Sequence, residues 1–247
     1  MATITTFATS VSTERMKLTS IRAPWWSALA ALVATPAIAA AVAASTDVEI
    51  KLSYLVGGYP MGLTIMMAMA ALAITTEYNF GTIRTSFLAA PGRSSVLWAK
   101  AVVVAVTAAI VGLVSSAASW AIGLVIRPSA DFSLTSVTDY RQIFGLAPVF
   151  AIGAVIALAA GILIRRTAGA VAVAVLWPSA VEPLFSLLPG VGVEIGNWLP
   201  FTAAKNFLTA GDVVESGPGP WVSLGYFAAV GVGLLVVAIA VAKRRDA

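Results

Sequence analysis

The chain has 247 residues, of which 60% are hydrophobic and only 11% carry a charge. A water-soluble domain keeps roughly a quarter of its residues charged, so this composition excludes a fully solvated surface and favours an integral membrane protein. The absence of Cys and His excludes disulfides, thiol nucleophiles, imidazole bases and the usual zinc sites. The net charge of +4 is scattered between apolar runs, so it predicts no nucleic-acid surface.

The N-terminal segment, residues 1–24, is polar and lacks an apolar core followed by a small-residue cleavage site, so we expect no cleaved signal peptide. Four of its apolar residues fall within one arc of a helix: Phe7, Val11, Leu18 and Ile21. Basic residues lie close to this arc, and together they predict an interfacial helix on the membrane surface. Glu14 lies on the same apolar arc and argues against it.

Six apolar stretches of about 20 residues follow, each long enough as a helix to cross about 30 Å of hydrocarbon. The predicted spans are Trp25–Ser45, Leu55–Thr76, Leu97–Ile126, Ile143–Ile164, Ala168–Leu188 and Val222–Ala242. We expect the fifth span to kink or break at Pro178 and Pro183, which lack a backbone donor. The sequence therefore predicts one all-α polytopic domain over residues 1–247, with the spans in 25–242 and a cytoplasmic tail at 243–247.

The basic residues predict the orientation of the chain, because short cytoplasmic loops are rich in Lys and Arg. With the N-terminus inside, the inside set is Arg15, Lys17, Arg22, Arg84, Arg93, Lys100, Arg165, Arg166, Lys243, Arg244 and Arg245. The outside set is only Lys51, Arg127, Arg141 and Lys205. We therefore expect a multi-pass protein of the bacterial cell membrane with both termini in the cytoplasm.

The inside loop Glu77–Lys100 is the most informative stretch for function. Phe80, Ile83 and Phe87 are spaced i, i+3 and i+7, which predicts a short amphipathic helix with one apolar face. Such a helix can rest on the membrane or fill a groove in a partner, and spacing alone leaves both open.

Few residues inside the spans suggest a site. A substrate path would use Met66, Met69, Trp177 and Glu182. The alternative is that the methionines pack or face lipid and that Glu182 lies in the outer headgroup zone. Two rows of small residues let helices approach closely: Gly153/Ala157/Gly161 and Gly225/Ala229/Gly233. We expect both rows to pack within the subunit, with a dimer seam as the alternative.

The inside loop also resembles a family signature. The order Glu77, Gly81-Thr82, Arg84, Leu88, Pro91, Arg93 and Lys100 is similar to the pattern after the second span of ABC-2-type transporter membrane subunits. Further segments look like the family, the first like its actinobacterial members: Arg15–Leu29, Arg165–Gly169, Asn197–Ala204 and Lys243–Arg245. The resemblance covers nearly the whole chain. One departure is Asn79, where relatives often look basic.

This resemblance implies a type V exporter-like fold: six spans, an interfacial N-terminal helix and a cytoplasmic coupling helix between spans two and three. It implies a homodimer or heterodimer of permease subunits powered by separate cytoplasmic ABC ATPase chains, which would bind the ATP and Mg. The implied coupling residues are Glu77, Tyr78, Phe80, Gly81, Thr82, Ile83, Arg84, Phe87 and Arg93. By analogy the pair would export a drug, lipid or lipid-linked product by alternating access.

The chain is not expected to be an enzyme. It has no G-x-x-x-x-G-K-[ST] phosphate loop and no paired carboxylates or nucleophile–base arrangement in the sequence pattern. Two alternatives to the transporter subunit stay open. One is a secondary transporter, which usually carries intramembrane carboxylates; the other is a non-transporting membrane anchor for an ATPase.

Overall fold

The computed structural model describes residues 2–45, 50–83, 93–185, 187–188, 192–209 and 218–245. All regular elements within these ranges are helical. In chain order they are α1 (Ala2–Ser20), α2 (Arg22–Ser45), α3 (Leu52–Val56), α4 (Tyr59–Asn79), α5 (Arg93–Ile126), α6 (Val137–Phe144), α7 (Leu146–Ile164), α8 (Thr167–Leu176), a π-helical turn (Trp177–Val181), α9 (Glu182–Phe185), α10 (Gly192–Asn197), α11 (Pro200–Thr209) and α12 (Pro220–Arg245). The predicted coupling helix lies mostly in 84–92, outside the described residues.

Six segments are long and apolar enough to cross a membrane: Arg22–Ser45, Leu52–Asn79, Ser94–Ile126, Leu146–Ile164, Thr167–Phe185 and Pro220–Arg245. We call them spans 1 to 6. They confirm an all-helical, multi-span membrane protein. Span 4 begins at Leu146 rather than at the predicted Ile143, because Gly145 separates α7 from the short helix α6, to which Ile143 belongs.

Helix α7 occupies the centre of the fold and packs against α4, α5, α8 and α12. Its small residues allow this close approach. A Cβ atom on Gly153 would lie 2.8 Å from Leu63 Cδ1, and one on Gly161 would lie 2.5 Å from Ile74 Cγ2. The first predicted row of small residues therefore packs within the subunit, against α4.

The second row of small residues behaves differently. Gly225, Ala229 and Gly233 are exposed, and a Cβ atom on Gly225 or Gly233 would meet nothing within 4 Å in the described part of the chain. The packing face of α12 is instead offset around Gly231, where a Cβ atom would lie 2.9 Å from Ile152 Cγ2. The prediction that this second row packs within the subunit is wrong.

Span 5 breaks where its prolines predict. Helix α8 ends at Leu176, and the chain continues as the π-helical turn and then as α9. Pro178 has no N–H to donate to the carbonyl one turn earlier, so the regular ladder cannot continue and a wider π turn forms instead. This break places Glu182 near the end of the span that the positive-inside pattern predicts to be outside, which we call the outer end.

The segment after span 5 forms two short helices, α10 and α11. Aromatic side chains join this segment to α12 through three edge-on pairs: Trp198–Tyr226, Phe201–Phe227 and Phe207–Trp221. Tyr226 also donates its hydroxyl hydrogen to the Trp198 carbonyl at 2.6 Å. These contacts hold the outer segment, residues 192–209, against span 6.

Candidate functional site

Four charged side chains meet where α1, α4 and α5 come together: Glu14, Lys17, Glu77 and Lys100. We call them the inner charge cluster, since the positive-inside pattern predicts this end to be cytoplasmic. Lys17 Nζ lies 2.6 Å from Glu14 Oε1 and 3.3 Å from Glu77 Oε1. Lys100 Nζ contacts Glu14 Oε2 directly and lies 3.0 Å from Glu77 Oε1. Each carboxylate therefore bridges both ammonium groups.

The inner charge cluster is neutral and largely shielded from solvent. Glu14 and Lys100 keep only 4% and 6% of their side-chain surface exposed, whereas Lys17 keeps 34%. Burial by itself would lower the pKa of Lys17, but the Glu14 hydrogen bond and the Glu77 charge outweigh it and raise that pKa above its ordinary value. Buried charges are tolerated only when they are paired and hydrogen-bonded, and this arrangement meets that condition.

The cluster explains why a carboxylate interrupts the apolar arc of α1. That helix packs chiefly against α5, with Glu14 buried and Leu18 half-buried against the core. Phe7 and Ile21 instead remain exposed. The face of α1 around Glu14 is therefore a protein contact, and the predicted arc does not form a single apolar face.

A turn at Gly81 ends α4 shortly after Glu77. Gly81 adopts the left-handed conformation with φ of 71°, which is strained for any residue with a Cβ atom. The Phe80 N–H donates to the Thr76 carbonyl at 2.9 Å, and the Gly81 N–H donates to the Tyr78 carbonyl at 3.3 Å. This glycine stop ends the helix just beyond the cluster.

The same turn separates two residues that the spacing placed on one face. Phe80 is 81% exposed, whereas Ile83 is 5% exposed and packs in a core cluster with Ile74 and Leu97. The left-handed Gly81 between them ends the helical register, so the shared apolar face predicted for Phe80 and Ile83 does not form. Arg84 and Phe87, and the Arg93 side chain, lie outside the described residues.

Side chains at the end of α4 also contact the turn between spans 4 and 5. The Arg165 guanidinium carbon lies 4.8 Å from the centre of the Tyr78 ring, within the range of a cation–π contact. Asn79 Nδ2 donates to Thr167 Oγ1 at 2.7 Å. Of the nine predicted coupling residues, Glu77 and Tyr78 thus make contacts within the subunit, while Phe80, Gly81 and Thr82 are exposed.

Glu182 forms a second polar site, at the outer end of span 5. Its side chain is buried, and its carboxylate accepts four hydrogen bonds from neutral donors. These are Trp177 Nε1 at 3.0 Å, Phe201 N at 3.1 Å, Thr202 N at 2.8 Å and Thr202 Oγ1 at 3.3 Å. The two backbone donors belong to the first turn of α11, whose partial positive charge stabilises a carboxylate. Glu182 thus ties the break in span 5 to the outer segment.

The four residues predicted for a substrate path are not brought to one surface. Met66 and Met69 are buried in the core at 0% and 3% exposure, so they line no open surface of the single subunit. Trp177 is part of the outer π-helical turn and donates to Glu182. The methionines therefore pack, as the alternative reading of the sequence had it.

Within the described ranges, no three His, Cys, Asp or Glu side chains gather to hold a metal ion. The lysines of the inner cluster are each bound to two carboxylates, so neither is poised as a nucleophile. What both sites can do is hold helices in fixed relative positions.

Two members of the inner cluster were missed by sequence reasoning as partners. The sequence pattern identifies Lys17 and Lys100 only as basic residues of the inside set. It also places Lys100 in the motif that resembles the family signature. The available signal was Glu14 on an apolar arc, because a buried carboxylate needs either a cation or several hydrogen-bond donors.

The chain matches no model of a protein family, no curated protein and no solved structure.

Proposed function

We propose that the chain is the membrane-spanning permease subunit of an ATP-driven transporter of the ABC-2 type. Its six spans would form half of a dimeric pathway, with a second permease copy or a homologue as the other half. A separate cytoplasmic ABC ATPase would bind ATP and Mg and drive alternating access. The cargo would be amphipathic or apolar, because the spans offer few charged groups to a charged solute.

The observation that carries this proposal is the inner charge cluster. A motor protein that pushes on a membrane subunit needs a rigid element on which to act, and the cluster fixes α1, the end of α4 and the start of α5 to one another. Since α4 and α5 belong to spans 2 and 3, a force applied to this end would reach both spans together.

The exposed Phe80 gives the proposed motor a contact point. A phenyl ring that is 81% exposed at the end of a span, next to a glycine turn, suits a shallow groove in a partner. In this proposal Glu77 acts as an anchor that holds the turn, and Phe80 acts as the docking residue. Gly81 and Thr82 set the direction of the chain into the loop that follows.

The proposal is tested by combining the chain with an ABC ATPase. The tagged chain would be co-expressed with candidate ABC ATPase chains of its host and purified in detergent, and inside-out vesicles would then be assayed for ATP-dependent uptake of lipophilic dyes. Phe80→Asp should release the ATPase, while Tyr54→Asp, which alters an aromatic residue 57% exposed on α3, should not. Uptake driven by an ion gradient without ATP would favour a secondary transporter. ATPase binding without ATP-dependent uptake would favour an anchor.

A further inference from the structure

Helix α11, the second helix of the outer segment, runs back along span 6. Phe207 near its end packs edge-on against Trp221, whereas Phe201 near its start packs edge-on against Phe227. Because an α-helix rises about 1.5 Å per residue, Phe227 lies about 9 Å further along α12 toward the inner end than Trp221 does. Helix α11 is therefore antiparallel to the first turns of α12, and its N-terminus points into the membrane.

Two separate counts give the depth at which α11 begins. Lys243 and Arg166 mark the inner headgroup level in spans 6 and 5. Sixteen residues separate Lys243 from Phe227 in α12, and sixteen also separate Arg166 from the carboxylate residue Glu182. Both helical paths are about 24 Å long, about 6 Å short of the outer edge of a hydrocarbon layer about 30 Å thick. Since Phe201 contacts both Phe227 and Glu182, α11 begins inside the hydrocarbon.

This depth explains why a carboxylate lies within span 5. The first N–H groups of a helix have no partner in that helix, and hydrocarbon offers no water to bind them. Glu182 accepts hydrogen bonds from the N–H groups of Phe201 and Thr202 and so satisfies two of them. The Trp198 carbonyl, just before α11, is satisfied by the Tyr226 hydroxyl. The start of α11 thus has the hydrogen bonds that it needs away from water.

An apolar surface lies close to this start. Four side chains of α9, α10 and the residues that follow them are between 43% and 74% exposed: Leu184, Leu187, Ile195 and Trp198. We call them the outer apolar patch. Helices α9 and α10 contact each other, and the Gly192 backbone packs against Phe185 and Leu188, so the patch is one surface. Exposed apolar surface of this kind is unfavourable in water and favourable among acyl chains.

The exposed lysine of α11 fits the same depth. Lys205 lies four residues after Phe201, so it is about 6 Å nearer the outside, at the edge of the hydrocarbon. Its side chain is exposed, and a lysine at this level reaches the headgroups with its ammonium group while its methylene groups stay among apolar neighbours. The charge on α11 is therefore compatible with a helix that begins within the membrane.

We propose that the outer apolar patch is embedded in the acyl chains of the outer leaflet, and that Glu182 caps α11 within the hydrocarbon. The chain between spans 5 and 6 thus turns back into the membrane before α11 rises along α12. Lipid is the occupant because the patch continues the exposed apolar surface of span 5, to which Val173 and Leu176 belong. The proposal does not depend on the transport function.

Nitroxide labels on single cysteines test the position of the patch, since the chain has no Cys of its own. Labelled Leu184→Cys, Leu187→Cys and Ile195→Cys would be reconstituted in phosphatidylcholine vesicles and measured by EPR power saturation. Oxygen concentrates in hydrocarbon, whereas a nickel chelate stays in water. We expect frequent collisions with oxygen, and collisions with nickel about tenfold rarer than at Ser129→Cys in an exposed outer loop. Val232→Cys, about half exposed on span 6, is the lipid-facing control.

A second pair of variants tests the cap. In the labelled Ile195→Cys chain, Glu182→Ala leaves the first N–H groups of α11 without an acceptor, so water must reach them and nickel collisions should rise several-fold. Glu182→Gln keeps an acceptor oxygen and should leave the collisions nearly unchanged. Thermal melting shows that each labelled variant is folded.

Three results would overturn the proposal. Nickel collisions at Leu187 and Ile195 as frequent as at Ser129 would place the patch in water. Rare collisions with both oxygen and nickel would mean that protein, such as a second copy of the chain, covers the patch. Unchanged nickel collisions in Glu182→Ala would show that α11 does not need this cap to stay at its depth.

Discussion

The two polar sites of this protein stabilise buried carboxylates in opposite ways. In the inner charge cluster, Glu14 is neutralised by Lys17 and Lys100. At the outer end of span 5, Glu182 has no cation within ion-pair distance in the described part of the chain and is held by indole, hydroxyl and backbone donors instead. Removing the buried Lys100 from the inner cluster leaves the buried charge of Glu14 without its more shielded partner. Removing Glu182 leaves only neutral groups. The inner site should therefore be less tolerant of the loss of Lys100 than the outer site is of the loss of Glu182.

The largest expected effect is that of Lys100→Ala. This change leaves Glu14 buried with one remaining, partly exposed partner, and breaking a buried ion pair costs about 3–5 kcal/mol. Lys17→Ala removes the more exposed lysine and should cost about 1 kcal/mol or less. The free energy of unfolding in mixed micelles, measured by titration with a denaturing detergent, separates the two.

A rescue variant checks that charge imbalance is the cause of that loss. Glu14→Leu/Lys100→Met removes both buried charges, leaves Lys17 paired with Glu77, and should recover most of the stability lost in Lys100→Ala. If the double variant is as unstable as the single one, the cluster matters through its packing and the contrast with the outer site disappears.

The next effect belongs to Glu182. Glu182→Ala leaves the first-turn donors of α11 and the Trp177 indole without their acceptor and should cost about 2–3 kcal/mol. Glu182→Gln should cost less, because its carbonyl oxygen can still accept from the α11 backbone. Asp131→Ala, on an exposed outer loop, is the control and should change stability by less than about 0.5 kcal/mol. A Gln variant as damaged as the Ala variant would mean that the negative charge itself is essential.

Glu182→Ala also distinguishes the two ends of the molecule in function. Since Glu182 lies at the outer end and the proposed docking residue Phe80 at the inner end, this variant should leave ATPase binding intact. A pull-down with the co-expressed ATPase measures it. Loss of binding would mean that the topology around span 5 is wrong.

A smaller effect is expected for the glycine turn beside the inner cluster. Gly81→Ala places a Cβ atom on a left-handed residue and should cost about 1–2 kcal/mol. Gly233→Ala adds the same atom to an uncrowded position inside α12 and should be neutral or stabilise by up to about 1 kcal/mol. Thermal melting in detergent compares them. A neutral Gly81→Ala would contradict the left-handed conformation of this residue.

The smallest effect is a difference between the inner and outer ends in how stability depends on pH. The pKa of Lys17 is raised, so its contribution to stability is complete below the ordinary pKa near 10.5 and disappears as the pH rises further. On the outer side, burial would raise the pKa of Asp139, but hydrogen bonds from Ser136 and Thr135 lower it below its ordinary value. Its contribution is complete above pH about 4 and disappears in stronger acid.

Melting temperatures across the pH range test this difference. Lys17→Met should flatten only the alkaline loss, and Asp139→Asn only the acid loss. The Asp139 effect comes from the capping box that begins α6, in which Ser136 and Asp139 exchange hydrogen bonds. Equal changes at both extremes in one variant would contradict the assignment.

The sequence was sufficient for the coarse architecture because long apolar runs have few other solutions. The spans and the break at Pro178 both follow from local composition. The inner cluster could not be derived in the same way, because Glu14 and Lys100 are 86 residues apart and meet only through tertiary packing. The spacing predicted a shared apolar face for Phe80 and Ile83, which does not form because the left-handed Gly81 between them interrupts the helix. The φ angle of a glycine cannot be read from the sequence.

The central position of α7 has a consequence for biosynthesis. Spans leave the ribosome in chain order, so α2, α4 and α5 enter the bilayer before the helix that joins α4 to α5. Until Leu146–Ile164 is inserted, the surfaces around Leu63 and Ile74 face lipid or a membrane insertase. Helices α8 and α12 are inserted later and can pack at once against α7, which is already in the membrane. Newly made chains that stall before span 4 should therefore be the ones most readily recognised by membrane proteases.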